Sequence, residues 1–360
     1  MAANDWVFYL LAVTGTVVLL RILRPVAFKF GLVDIPGERK LHRVSVPLVG
    51  GLAIWIVLAI SYVLARFVFN AQWNGLGGYF VAASMLVAAG LLDDLMELKV
   101  WVRLAIQVCA GLVAVYFGHA LLVHLGNLWG WGDVQTGLWA VPFTLFCMVG
   151  LINAFNMLDG LDGLAGGVAL VILFWLLLVA LLTQRTALSI ALILFASILI
   201  GFLMCNMRLP WRREIVFLGD AGSMLLGFTL AWCAIRISQA PQQAVMPAAA
   251  LWILGLPVLD TVSTMLRRAF HKHSPFSAGR DHLHHLLLAF GLPDSVVVVA
   301  EIGLAAILGA VGFFSWRYGV RELDLSMGFV VLGILYLGAV EAAWRFLARA
   351  HTSEQAPIQL

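Results

Sequence analysis

Within residues 153–167, NAFNMLDGLDGLAGG, the side chains of Asn153, Asn156, Asp159 and Asp162 recur at every third position, interleaved with or followed by Gly160, Gly163, Gly166 and Gly167. Amide and carboxylate oxygens are hard ligands, suited to Mg²⁺ or Mn²⁺ and poorly suited to zinc. On an ideal helix each step of three turns a side chain by about 300°, so four such residues drift through about half a turn and one straight helix cannot aim them all at a point. The glycines predict instead that a helix ends near Asn156 and that a tight loop follows. An Asx-rich cap and turn would account for one of these residues; it does not call for four.

Four other stretches carry related chemistry. In GLLDDLMELKVWVRLAIQ the adjacent carboxylates of Asp93 and Asp94 repel unless a cation or a shared proton relieves them, and Arg103 follows as a group able to grip phosphate. Asp220, between Gly219 and Gly222, is predicted to stand at a helix N-terminus, where free backbone donors could hold a phosphate together with its metal; a plain N-cap explains it too. The segment SPFSAGRDHLHH carries His282, His284 and His285, and on one helix His284 would point away from the other two, by about 160° from His282 and about 100° from His285. Zinc spacing is lacking, and with Arg267, Arg268, Lys272 and Arg280 nearby the loop suits a polyanion such as a diphosphate. Lys40, His42 and Arg43 form a cationic lip ahead of Pro47 and Gly50-Gly51.

The elements that must hold these groups are apolar. The 360 residues are 62% hydrophobic and 11% charged, with a mean hydropathy of +0.99, where a soluble chain carries about 25% charge. Runs long enough to cross a bilayer lie near 5–26, 47–69, 77–92, 100–122, 137–155, 165–183, 187–206, 222–240, 245–267, 297–318 and 325–348. Continuous runs without alternation exclude a membrane barrel, so the expected fold is all-α: a polytopic bundle of about 11 transmembrane helices. MAANDWVFYL has no basic stretch before its apolar run and reads as a first span, not a removable signal. Seventeen of the 22 Lys and Arg fall on one side of that topology, leaving Arg66, Arg185, Arg236, Arg317 and Arg321 opposite, which predicts a periplasmic N-terminus and a cytoplasmic C-terminus. A single catalytic domain over 1–348 and a short cytoplasmic tail, 349–360, are expected.

The acids sort to the same cytoplasmic side, although no topogenic rule requires it. Mid-span ionisable groups, which a transporter or flippase would need, are reduced to Glu341 and Asp260, so the pattern favours an enzyme at the inner membrane surface. The Trp-rich external stretch 118–137 reads as interfacial, with His119 and His124 at headgroup level. Cys109, Cys147, Cys205 and Cys233 read as buried packing residues. A net charge of +3 gives no reason to expect a nucleic acid partner.

Taken together, RKLH with PLVGG at 39–51, LDD at 92–94, NAFNMLDGLDGLAGG at 153–167, VFLGDAGS at 216–223, PVLD at 257–260 and SPFSAGRDHLHH at 274–285 resemble, in kind and in order, the polyprenyl-phosphate N-acetylhexosamine-1-phosphate transferase family. The resemblance implies transfer of GlcNAc-1-phosphate from UDP-GlcNAc to undecaprenyl phosphate with Mg²⁺ or Mn²⁺, releasing UMP in the bacterial inner membrane. That step would initiate lipid-linked surface glycans such as O-antigen and enterobacterial common antigen. It implies Asn156 and Asp220 as metal holders, Asp159 and Asp162 on the nucleotide side, and Asp93, Asp94 and Arg103 at the acceptor phosphate. Lys40, His42, Asn153, Arg268, Arg280, His282, His284 and His285 would serve the substrates, and a homodimer is compatible with all of this. Another UDP-N-acetylhexosamine donor is the alternative within the family. Lys99 and Trp101 depart from the more basic stretch expected before Arg103, and the tail RAHTSEQAPIQL lacks a strongly basic end.

Overall fold

The computed structural model describes residues 5–34, 45–68, 75–207, 216–239, 244–274 and 279–354. Its helices are α1 (Asp5–Phe30), α2 (Gly50–Val68), α3 (Leu76–Met96), α4 (Val100–Tyr116), α5 (Ala140–Leu158), α6 (Leu164–Leu182), α7 (Thr186–Asn206), α8 (Gly219–Ser238), α9 (Pro247–Ile253), α10 (Gly255–Phe270), α11 (Leu283–Ala289), α12 (Asp294–Arg317) and α13 (Glu322–Glu354). Two short strands, β1 (Val33–Asp34) and β2 (Val46–Pro47), pair antiparallel with Val33 opposite Pro47.

Among the described residues nine helices are long and apolar enough to cross a membrane, or ten if α9 and α10 count as one broken span. The eleven expected runs are all helical, but two differ from expectation. Helix α4 has only 17 residues, and the run expected over 245–267 bends by 81° between α9 and α10. Pro257 lies in the first turn of α10, where its missing N–H costs nothing, and the rest of α10 is amphipathic, with Asp260, Thr261, Ser263, Thr264, Arg267 and Arg268 all buried. Helix α13 also runs on beyond residue 348. Two cysteines depart from their expected burial: Cys109 is exposed on α4 and Cys147 is half-buried on α5, while Cys205 and Cys233 are buried.

Helix α8 is the axle, buried over 94% of its apolar window, and packs against α2, α3, α5 and α6; the outer helices α1 and α13 are buried over only 22% and 17% of theirs. Small residues bring the axle's first turns close to its neighbours, as in other tightly crossing membrane helices. A Cβ on Gly51 of α2 would lie 2.1 Å from the Gly222 backbone nitrogen, and one on Gly90 of α3 would lie 2.3 Å from the Ala221 Cα. Backbone bonds from Gly50 to Phe217 O, 3.0 Å, and from Phe217 to Pro47 O, 2.9 Å, fasten the same corner.

Hairpin alternation thus brings the ends of α3, α5, α7 and α10 and the starts of α2, α4, α6, α8 and α12 to one end of the bundle. Asn206, 5% exposed, ties three of these pieces: its Oδ1 accepts from Gly163 N at 2.7 Å and its Nδ2 donates to Val216 O at 2.9 Å. At the opposite end, residues 118–139 form a folded cap. His124 Nδ1 meets Asp133 Oδ2 at 2.5 Å, Gln239 Oε1 accepts from Val123 N and His124 N, and Glu322 accepts from Asn127 N. Trp131 and Leu138 protrude from that cap almost fully exposed, in keeping with an interfacial segment.

Candidate active site

The last turn of α3, the last turn of α5, the first turn of α8 and the start of α4 meet at one point. Asn156 Nδ2 donates to Asp220 Oδ1 at 2.5 Å and to Ser223 Oγ at 3.1 Å. Asp94 Oδ1 accepts from the Asp220 backbone N–H at 3.0 Å, capping α8 from the side, while its Oδ2 is buried with no hydrogen-bond partner among the described residues. Asp93 is 5% exposed; its Oδ1 accepts from Leu98 N and its Oδ2 from Arg103 NH1, both at 2.7 Å. The same Arg103 nitrogen is 4.0 Å from Asp220 Oδ2.

Negative charge outweighs positive here. Asp159, just past the end of α5, is held well above the usual carboxylate range by burial and then by Asp220, Asp162 and Asp94. Hard oxygen donors, an orphaned buried oxygen on Asp94 and a surplus of carboxylates are what a divalent cation would satisfy. Among the described residues no three His, Cys, Asp or Glu side chains stand ready-made to chelate a metal. The oxygens are neighbours joined by hydrogen bonds, and a substrate phosphate would have to supply the remaining ligands.

The histidine segment leans on this centre. His282 has extended backbone, φ −75° and ψ 164°, and caps α11, so the helical-wheel separation expected for the three histidines does not apply. The His282 and His284 rings are 6.1 Å apart and 6° from parallel, and the His284 and His285 centroids are 4.1 Å apart. His284 is buried against the acidic loop: a Cβ on Gly160 would lie 2.5 Å from its Nε2. Burial, then His285, holds His284 down at about 3, so the ring is neutral, and among the described residues neither of its nitrogens has a hydrogen-bond partner. Burial also lowers His285, helped by His282 and Arg280.

The sequence profile of glycosyl transferase family 4 matches residues 76–238, which span α3 to α8 and the whole acidic centre. The undecaprenyl-phosphate alpha-N-acetylglucosaminyl 1-phosphate transferase of Escherichia coli K12 is 34% identical over 339 residues, 93% of this chain and 91% of its own. Proteins of the same name from Yersinia pestis, 34% over 91% of this chain and 88% of theirs, and Haemophilus influenzae, 32% over 92% of each, are similar to it as well. This chain belongs to glycosyl transferase family 4.

Of the residues expected from sequence, the fold of this family 4 chain gathers Asp93, Asp94, Arg103, Asn156, Asp159 and Asp220 directly, with Asp162 among the charges felt by Asp159. Of the three histidines, His284 on α11 reaches the loop after Asp159, against Gly160, and the His282 and His285 rings flank it. Asn153 does not: its Nδ2 donates to Gln107 Oε1 at 2.7 Å and to Val149 O, fastening α5 to α4. Arg268 is 5% exposed and committed to the Asp281 carboxylate, Nε to Oδ2 at 2.9 Å; burial works to raise Asp281, and that guanidinium outweighs it and keeps the carboxyl below its usual range. Arg280 is exposed beside this pair. Lys40 and His42 lie outside the described residues.

Ser223 and Asp260 were missed as site residues. Ser223 is visible in GDAGS only once Asp220 is known to open a helix, since three residues then bring it round to the same side. The two carboxylates expected at mid-span are both taken: Glu341 accepts from Arg267 Nε at 3.0 Å and Arg345 Nε at 2.7 Å, and Asp260 is bonded to His282.

Proposed function

We propose that this protein transfers GlcNAc-1-phosphate from UDP-GlcNAc to undecaprenyl phosphate, giving undecaprenyl-diphospho-GlcNAc and UMP, and so begins a lipid-linked surface glycan of the O-antigen or common-antigen kind. The relatives' names supply the acceptor, undecaprenyl phosphate, and the transferred group, N-acetylglucosaminyl 1-phosphate; the UDP carrier is part of this proposal. The observation that carries the reading to this chain is the meeting of Asn156, Asp220, Asp94, Asp93 and Arg103 at one end of a membrane bundle. In this reading the bundle sits in the bacterial inner membrane, N-terminus periplasmic and C-terminus cytoplasmic, with the acidic end in the cytosol where a nucleotide sugar arrives.

An oxygen of the lipid phosphate forms a bond to the phosphorus that carries GlcNAc, and the bridging P–O bond to UMP breaks, UMP leaving with the electron pair. Such transfer depends on positioning and charge neutralisation. Asn156 and Asp220, with Asp94 beside them, would hold Mg²⁺ or Mn²⁺, which when bound neutralises diphosphate charge. Arg103 at the membrane edge binds the lipid phosphate. Asp159 and Asp162 line the nucleotide side, and the histidine segment with Arg280 closes over the diphosphate. No general base is required, because a phosphate monoester with a second pKa of about 6 is already ionised at neutral pH.

Purified protein in nanodiscs should release UMP from UDP-GlcNAc only with undecaprenyl phosphate and Mg²⁺ or Mn²⁺ present. Asp220→Ala should lower the rate about a hundred- to a thousandfold, the scale on which loss of a key charge-stabilising group is felt. Turnover that survives EDTA would end the proposal, and preference for another UDP-N-acetylhexosamine in competition would change the donor.

A further inference from the structure

Asp260 lies on α10, outside the acidic centre, and is 5% exposed. Its Oδ2 is 2.7 Å from His282 Nδ1, and its Oδ1 accepts from Leu283 N at 2.9 Å and from Tyr336 OH at 3.1 Å. Three donors from α11, its cap and α13 thus converge on one buried carboxylate. A buried charge is tolerable only when bonded this fully, and the bonds fix whatever makes them.

Here they fix a ring. His282 is 3% exposed, with Thr264 Oγ1 as its other neighbour, 3.5 Å from the same Nδ1. With Nδ1 donating to Asp260, Nε2 is the nitrogen left to serve a ligand. The parallel ring of His284 next to it touches Gly160, the residue after Asp159, so the pair of rings runs from α10 to the acidic loop.

We propose that Asp260 is a positioning residue that acts through His282, holding its Nε2 toward the donor diphosphate while the bond to UMP breaks. The inference rests on the transfer reaction proposed above. Negative charge grows on the UMP phosphate as that bond opens. As an imidazolium, with Nδ1–H on Asp260 and Nε2–H on the phosphate, the ring donates to that charge more strongly in the transition state than in the bound substrate, so the benefit falls on kcat.

UMP release in nanodiscs, with UDP-GlcNAc varied at saturating undecaprenyl phosphate and Mg²⁺, tests this on wild type, Asp260→Asn, His282→Ala and the double variant. We expect D260N to lower kcat by about 10- to 100-fold, as loss of a group orienting an active-site histidine does, with KM for UDP-GlcNAc within about threefold of wild type. H282A should lose at least as much, and the double variant no more than H282A, because residues acting as one unit are not additive. Wild-type kcat in D260N, a loss confined to KM, or losses that multiply in the double variant would each overturn the proposal. Absence of turnover in the wild type would instead overturn the transfer reaction itself. Should D260N fail to fold by size exclusion, Tyr336→Phe takes its place, removing one bond to Asp260; a kcat loss of about two- to fivefold at constant KM supports the inference, and an unchanged kcat overturns it.

Discussion

Arg103 serves two masters. Its NH1 is 2.7 Å from Asp93 Oδ2 and 4.0 Å from Asp220 Oδ2, a place where it balances carboxylates that a divalent ion would also balance. A cation entering beside Asp220 competes with this guanidinium, and the acceptor phosphate then offers it a new partner. At about 4 Å two unit charges interact by about 4 kcal/mol at an effective dielectric of 20, and partial exposure reduces that to about 1 kcal/mol. Arg103→Ala should therefore tighten Mn²⁺ binding about fivefold in a paramagnetic-resonance titration, while raising KM for the lipid phosphate. Weaker Mn²⁺ binding in R103A would show that the arginine supports the ion instead of competing with it.

His284 gives a second consequence at this scale. The fold holds the ring neutral at about 3 through burial and His285, whereas an unfolded histidine takes up a proton below about 6.5. Its contribution is thus fully present above about pH 6.5 and is lost as pH falls, amounting to about 2 kcal/mol between pH 7 and pH 5. Asp159, raised by burial and neighbouring carboxylates, works in the opposite sense, favouring the fold as pH falls. Comparison with His284→Gln separates the two: thermal unfolding of metal-free protein should show a steeper loss of midpoint from pH 7 to pH 5 in wild type than in H284Q. Parallel slopes would mean that His284 is not held neutral.

At the scale of elements, the distances among Asp93, Asp94 and Asp220 are set by how closely α3 crosses α8. A Cβ on Gly90 would meet the Ala221 backbone at 2.3 Å and the Asp220 carbonyl carbon at 2.6 Å, and backbone cannot step aside as a flexible side chain can. Gly90→Ala should push the crossing open, lowering UMP release at least about tenfold and weakening Mn²⁺ binding together, since small displacements of reacting groups are expensive. Wild-type activity in G90A would detach the crossing from the site. The sequence announced the motifs at helix ends but hid how they are aimed. The Asn156–Asp220 contact spans 64 residues, and no local spacing encodes it. The three histidines were misjudged because the wheel assumed one helix through His282, whose extended backbone lies before α11 begins. The break between α9 and α10 was signalled by GLP but read through, because hydropathy averages over a bend.

Over the whole molecule, the apolar runs and their alternation were readable because lipid leaves a backbone few choices. The site's location at one end followed from counting spans, with the 81° bend between α9 and α10 still returning the chain to that end. Sidedness is what the positive residues predict. Arg267, Arg268, Lys272, Arg280, Arg345 and Arg349 cluster at the acidic end, while the cap bearing the 94%-exposed Trp131 lies at the other. A nucleotide sugar made in the cytosol can reach the acidic centre only if that end faces inward, so orientation and activity are one question. In a variant with its native cysteines replaced, Trp131→Cys should react with a membrane-impermeant maleimide on intact cells. Arg280→Cys should react only after the membrane is opened, and UDP-GlcNAc should protect it. Labelling of R280C on intact cells would place the acidic centre where no UDP-sugar is available, and the proposed reaction could not run in the cell.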